Sequence, residues 1–210
     1  EASAYRLEPK EVFTTPELAL TYSKEGLSGA SRNFHRWGRN THIAHGNKTH
    51  DILLNSWEGV YFNVNQKVMD QMMGDIASMG GELFVMDDGW FGDKYKRNID
   101  TAALGDWVVA ATKKHNLKFD IWIEPEMTNI YSELYEKHPD WIVCPPNRTA
   151  KPGRGRTQLV LDLSNPKVQD FIFGVVDNLM TENPEIAYIK WDANMNIINY
   201  GSSFLTGDKQ

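Results

Sequence analysis

From Ile52 onward the chain repeats one pattern: a short apolar run ending in charged or aromatic side chains, a helical segment, then the next run. The runs are Ile52-Leu53-Leu54-Asn55-Ser56-Trp57-Glu58, Leu83-Phe84-Val85-Met86-Asp87-Asp88, Phe119-Asp120-Ile121-Trp122-Ile123-Glu124 and Ile186-Ala187-Tyr188-Ile189-Lys190-Trp191-Asp192. Strands that are apolar along their length and alternate with helices form a parallel sheet covered on both faces. Each run ends in polar chemistry: Trp57-Glu58, Asp87-Asp88, Glu124-Pro125-Glu126 and Lys190-Trp191-Asp192. In a (β/α)8 barrel that end carries the active site, because the βα-loops converge there. A doubly wound sheet also places ligands at strand ends, but does not usually need polar groups on four successive strands. The expected class is therefore α/β, a (β/α)8 TIM barrel with about its first four strand–helix units present, preceded by a short β/helical lead-in. No Gly-x-Gly-x-x-Gly or Gly-x-x-x-x-Gly-Lys follows a strand, which removes the usual nucleotide reading.

The intervening helices have their own signals. Val68, Met69, Met72, Met73, Ile76 and Met79 recur at helical spacing over 65–79, and Gly80-Gly81 stops that helix. Helices are also expected around Asp106–Asn116 and over Ser132–Lys137. Ser164-Asn165-Pro166 opens a helix to about Thr181, with Asn165 or Ser164 as cap and Pro166 at its first position. Gln158–Leu163 reads as a short extended run. Ahead of the barrel, residues 5–22 alternate loosely between Pro9 and Pro16 and predict one or two short strands; residues from Gly26 to about His45 read as a helix with Phe34, Trp37 and Ile43 near one face. The expected division is 1–50 as lead-in, the end of an upstream β-domain plus a connecting helix, and 51–210 as the first half of the barrel.

Composition narrows the function. The 28 acidic and 22 basic side chains give a net charge of -6 without any block of like charge, unlike a nucleic-acid binder. No apolar run approaches the roughly 18 residues that span a bilayer, and Glu1 does not open a signal sequence. A soluble, cytoplasmic or periplasmic protein is expected, with no membrane partner. Cys144 is the one cysteine, so no internal disulfide can form, and no histidine-based nucleophile motif surrounds it. His42, His45 and His50 lack a His-Glu-x-x-His pattern or a cysteine partner, so no metal and no cofactor are expected. Aromatic residues make up 11% of the chain, and several Trp sit beside carboxylates, which suits a sugar ring as well as a core.

At the strand ends, alternation puts Lys190 and Asp192 on one face and Trp191 on the other. A cation about 6 to 7 Å along the strand favours an ionised carboxylate, as a carboxylate nucleophile requires; an ordinary ion pair capping a strand would look the same. Asp87 and Asp88 can converge on one ligand only where the strand opens into a loop, which Gly89 permits, and could then accept hydrogen bonds from vicinal hydroxyls; a generic Asp-Asp-Gly turn is the plain alternative. Glu124 and Glu126 suit a general acid or base, or equally loop-anchoring salt bridges. Arg156, in Pro152-Gly153-Arg154-Gly155-Arg156-Thr157, could grip a substrate hydroxyl or a carboxylate, or sit in a solvated loop.

Taken in order, Leu54-Asn55-Ser56-Trp57-Glu58, Met86-Asp87-Asp88-Gly89-Trp90-Phe91-Gly92, Leu104-Gly105-Asp106-Trp107, Trp122-Ile123-Glu124-Pro125-Glu126-Met127, His138-Pro139-Asp140-Trp141, Gln158–Leu163 and Tyr188-Ile189-Lys190-Trp191-Asp192-Ala193-Asn194 closely resemble the α-galactosidases of glycoside hydrolase family 36. The resemblance spans about residues 26 to 200. It implies a retaining (β/α)8 enzyme without metal, acting on α-galactoside oligosaccharides by double displacement, and often a large homo-oligomer. Carried over, Asp192 is the nucleophile. Lys190 contacts the sugar while holding Asp192 charged, and Asp87 and Asp88 bind hydroxyls of the galactosyl ring. Trp57 and Trp122 line the pocket, Arg156 reaches a hydroxyl or a carboxylate, and Asn194 bonds near the 2-hydroxyl. Glu124 and Glu126 become supports.

A retaining mechanism needs a second carboxyl group about 5 to 5.5 Å from the first. The resemblance places that acid/base on a later strand, beyond Gln210. The alternatives kept are a sugar-binding fragment that lacks the acid, and relatives that act on α-N-acetylgalactosaminides or transfer galactose. Two departures stand out. Val108-Val109 run almost directly into Ala110-Ala111-Thr112-Lys113-Lys114, where the family usually carries a longer segment, and Asp120 stands where the family usually has glycine.

Overall fold

The computed structural model describes residues 7–92, 103–107, 117–152, 157–197 and 200–207. The chain divides into two compact units, Glu1–His50 and Asp51–Gln210.

In the first unit, helix α1 spans Gly26–Thr41. Asn33 on α1 donates to Thr21 Oγ1 at 2.9 Å and to the Tyr22 carbonyl at 3.2 Å, tying the preceding segment to the helix. Phe34 and Trp37 meet edge to face, their ring centres 6.3 Å apart. The strands expected in 5–22 are not formed at residues 7–22. Alternation alone does not make a strand: its N–H and C=O groups need a ladder partner, and among the described residues of this unit none is present. Val12, Leu18 and Leu20 accordingly remain exposed.

The second unit is built on four parallel strands in the spatial order β1 (Leu53–Asn55), β2 (Leu83–Met86), β3 (Lys118–Ile123) and β6 (Ile186–Trp191). Their spatial order follows chain order without reversal, as in a barrel; a doubly wound sheet reverses at its switch point. The crossovers carry α2 (Trp57–Val60), α3 (Gln66–Ser78) and α5 (Pro166–Glu182). Asn65 caps α3 by accepting from the Val68 N–H, and Asn165 caps α5 by accepting from the Lys167 N–H, with Pro166 at the start of the helix. Between β3 and α5 the chain makes an antiparallel pair, β4 (Met127–Asn129) with β5 (Gln158–Val160), around helix α4 (Glu133–Lys137). Asp106 caps α4, accepting from the Glu133 and Leu134 N–H groups at 2.9 and 3.0 Å. Gly105 turns the chain there at φ 108, and a Cβ would come 2.7 Å from Thr128 Oγ1, so glycine is required on both counts. The helix expected over Asp106–Asn116 lies mostly outside the described residues.

One face of the sheet packs against helices. Phe84, Met86, Ile121 and Ile123 form a core with Met69, Met73 and Ile76 of α3 and Leu179 of α5. Each such side chain stabilises the fold by about 1.5 to 3 kcal/mol when fully buried. The other face carries the polar groups. Register sets Asn55 beside Val85, Val85 beside Asp120, Asp120 beside Tyr188 and Trp122 beside Lys190.

A bulge decides this arrangement. Phe119 pairs with Ile186 but Asp120 pairs with Tyr188, so Ala187 is the extra residue on β6. Ile186 is buried with the helix-facing core. Continued without the bulge, that register would set Lys190 beside Ile123 and turn it and Asp192 toward the helices. One inserted residue exchanges the faces of everything after it, and so Lys190 and Asp192 face inward.

Candidate active site

Asp192 directly follows β6, with its N–H donating to the Ile123 carbonyl at 2.9 Å. Its carboxylate accepts three hydrogen bonds. Trp122 Nε1 and Asn194 Nδ2 both donate to Oδ2 at 2.9 Å, and the Ala193 N–H donates to Oδ1 at 2.9 Å. Burial alone would push this carboxyl up, but these three donors, joined by the Lys190 charge, outweigh it and hold Asp192 below the usual carboxylate range. Asp192 is thus ionised at neutral pH and fixed in orientation.

A second carboxylate stands at the end of β2. Asp87 directly follows β2 and is 3% exposed. Its Oδ2 accepts from Lys190 Nζ at 2.7 Å and from Asn55 Nδ2 at 2.6 Å, while its N–H donates to Ser56 Oγ at 3.0 Å. The Asp88 N–H donates to Asp87 Oδ1 at 2.9 Å, and Asp88 is buried as well. The two aspartates follow β2 rather than lying on it, and Gly89, at φ 102, turns the chain after them.

Glu124, fully buried, latches the loop that follows Asp192. Its Oε2 accepts from Gln158 Nε2 of β5 at 2.7 Å, and its Oε1 accepts a short bond from the Asn194 N–H. Glu124 thus holds the backbone of Asn194, whose side-chain amide donates to Asp192. Deeper on the inner face is Asp120, 1% exposed, with neither carboxyl oxygen in a hydrogen bond among the described residues. Burial pushes its carboxyl up to about 7 and the Asp87 charge adds to this, while Lys190 and the nearby N–H groups of Ile121 and Lys190 oppose it. Those N–H groups favour the charge without reaching hydrogen-bond geometry.

The chain that carries this arrangement has relatives among known proteins. The melibiase family matches residues 12–210. The chain belongs to the melibiase family. This melibiase chain is 40% identical to alpha-galactosidase AgaA of Geobacillus stearothermophilus over 97% of its own length and 29% of that protein's. It is 43% identical to alpha-galactosidase C of Emericella nidulans over 92% of its length and 28% of the relative's. A crystal structure of an AgaA variant from glycoside hydrolase family 36, in complex with raffinose, superposes with a TM-score of 0.77 at 38% identity, covering 88% of this chain and 27% of that one. The melibiase chain therefore spans less than a third of the relatives it matches, and its four strands are part of a (β/α)8 barrel.

Within the melibiase chain, the expected site residues separate into groups. Asp87, Asp192, Lys190, Trp122 and Asn194 come together on the inner face or the loop beside it. Lys190 pairs with Asp87 across β3, and its effect on Asp192 is through charge alone. Trp122 is 1% exposed and stacks on Phe91 with ring centres 5.9 Å apart, so it meets Asp192 through its indole N–H, braced by Trp90, whose Nε1 donates to the Trp122 carbonyl at 2.8 Å. Trp57 does not extend β1. It opens α2, its N–H donates to Asn55 Oδ1 at 2.7 Å, and it packs edge to face on Tyr61 and Phe62. Arg156 lies outside the described residues. The sequence does not single out Asn55 or Gln158, although each is a polar residue within or at the start of an apolar run. Among the described residues, no group of three or more His, Cys, Asp or Glu side chains could hold a metal ion, and no helix is long and apolar enough to cross a membrane.

Proposed function

We propose that the full-length protein is a retaining α-galactosidase and that this chain carries its nucleophile, Asp192. The observation that supports this reading is the Asp192 carboxylate, ionised and aimed by Trp122, Asn194 and the Ala193 N–H. A carboxylate that attacks an anomeric carbon must be charged before substrate arrives and must not need to reorient. Asp87, charge-paired with Lys190, accepts hydrogen bonds from hydroxyls of the galactosyl ring, with Asp88 beside it. Lys190 donates to the same ring. Asn194, already on the nucleophile, bonds near the 2-hydroxyl of a sugar attached to Asp192, and Trp57 lines the pocket.

Double displacement needs a second carboxyl to protonate the leaving oxygen and later activate water. Glu124 does not suit that role, being fully buried with both oxygens engaged. We assign the acid/base to the rest of the barrel, since this chain spans only 29% of its relative AgaA; on this reading the chain by itself binds the galactosyl ring without cleaving its bond. Residues 1–50 are the end of an upstream β-domain with its connecting helix, and 51–210 are the first half of the barrel. The substrates are α-galactoside oligosaccharides such as raffinose, with which the related AgaA variant was crystallised, and the protein is a homo-oligomer.

The full-length protein is expected to hydrolyse an aryl α-galactoside, with α-galactose as the first-formed sugar in a proton NMR time course. Initial release of β-galactose, or no cleavage of any α-galactoside, would overturn this reading.

A further inference from the structure

Asp120 takes no part in the chemistry above, yet it is the least accommodated polar group on the inner face. It is 1% exposed, and neither oxygen has a hydrogen-bond partner among the described residues. An unpaired buried carboxyl is costly, so its presence calls for an explanation. Register sets it between Val85 of β2 and Tyr188 of β6, where the Ala187 bulge breaks the ladder. Two residues further along each strand, Asp87 and Lys190 form the ion pair, and both are close enough to act on Asp120 through their charges. Among the described residues, the titratable or charged groups on its side of the sheet are these two, Asp192 just beyond the end of β6, Tyr188 opposite, and Lys118 two residues earlier on its own strand. Lys118 is held away at 2.7 Å by Asp51.

We infer that Asp120 is a positioning residue for the Asp87–Lys190 pair, its gain or loss of a proton setting whether Lys190 serves one carboxylate or is shared between two. The inference rests on the assignment of Asp87 and Lys190 to the galactosyl ring. With Asp120 neutral, Lys190 stays on Asp87, and Asp87 presents a charged, oriented acceptor to the sugar. With Asp120 ionised, a second anion beneath the pair draws Lys190 away and repels Asp87. The sign follows from the burial that raises this carboxyl to about 7: the neutral form prevails below that pH and the charged form above it. Affinity for the galactosyl ring therefore falls as pH rises through neutrality.

The test is calorimetric binding of galactose to the full-length protein at pH 6 and pH 8, in the parent and in Asp120→Asn and Asp120→Ser. The parent is expected to bind about fivefold more tightly at pH 6, within the tenfold that one pKa unit of coupling gives. Both neutral variants are expected to lose that ratio, whatever their absolute affinities. A merely structural role would shift affinity alike at both pH values and leave the ratio intact; a parental ratio in either folded variant, or no ratio in the parent, overturns the inference. If Asp120→Asn does not fold, as its thermal midpoint would report, Asp120→Ser decides. Failure of the parent to bind galactose at either pH would instead overturn the galactoside reading, and this inference with it.

Discussion

Asp192→Ala in the full-length protein is expected to lower turnover of an aryl α-galactoside by at least about a thousandfold, the scale on which removal of a covalent nucleophile acts. The side chain is half-buried, and its truncation strands the buried Trp122 indole N–H at about 1 to 3 kcal/mol, so a modest fall in the thermal midpoint is expected and turnover is read on the folded variant. The truncation leaves a small space bordered by the Trp122 and Asn194 donors that held the carboxylate. A small anion such as azide should occupy it and attack the anomeric carbon from the vacated side, displacing the aryl alcohol and giving β-galactosyl azide. Recovery of that product separates loss of the nucleophile from loss of the site. Activity within about tenfold of the parent would remove Asp192 from the role.

Glu124→Leu is expected to cost about 3 kcal/mol of stability or more and to reduce turnover strongly, although Glu124 touches no reacting atom. The carboxylate receives Gln158 Nε2 and the Asn194 N–H in a site without solvent. Removing it strands two donors, each costing about 1 to 3 kcal/mol. Glu124→Gln is the sharper probe. Its volume is unchanged, but an amide offers one acceptor oxygen, so its NH2 must face one of the two donors. If the Asn194 N–H loses its acceptor, the loop carrying the Asn194 side chain shifts and Asp192 loses one of its three donors. Glu124→Gln should therefore lower kcat more than it raises KM, read by steady-state kinetics on the folded variant. Unchanged kcat would show that the latch does not position the nucleophile.

Much of this was legible in the residues. The four apolar runs became the four strands, and the shift to polar chemistry at their ends marked the inner-face cluster, because strand alternation and the barrel's loop geometry are both local rules. The Lys190–Asp87 pair was not legible, since it joins residues on strands separated by β3. Nor was the hydrogen bond from the buried Trp122 indole to Asp192, which joins two strands. The Ala187 bulge hid best of all. Alternation within Lys190-Trp191-Asp192 says which residues share a face, but only pairing with β3 says which face that is. The strands expected in 5–22 failed for the opposite reason: the pattern was present and the ladder partner was not.

In the proposed double displacement Asp192 becomes covalently bonded to the sugar. This step is tested most directly by treating the full-length protein with a fluorinated α-galactosyl fluoride that loads faster than it is released, then mapping the adduct by peptide mass spectrometry. One fluorogalactosyl unit is expected on the peptide containing Lys190-Trp191-Asp192, with fragmentation assigning it to Asp192. An adduct on Asp87, Asp88 or Glu124 instead would contradict it.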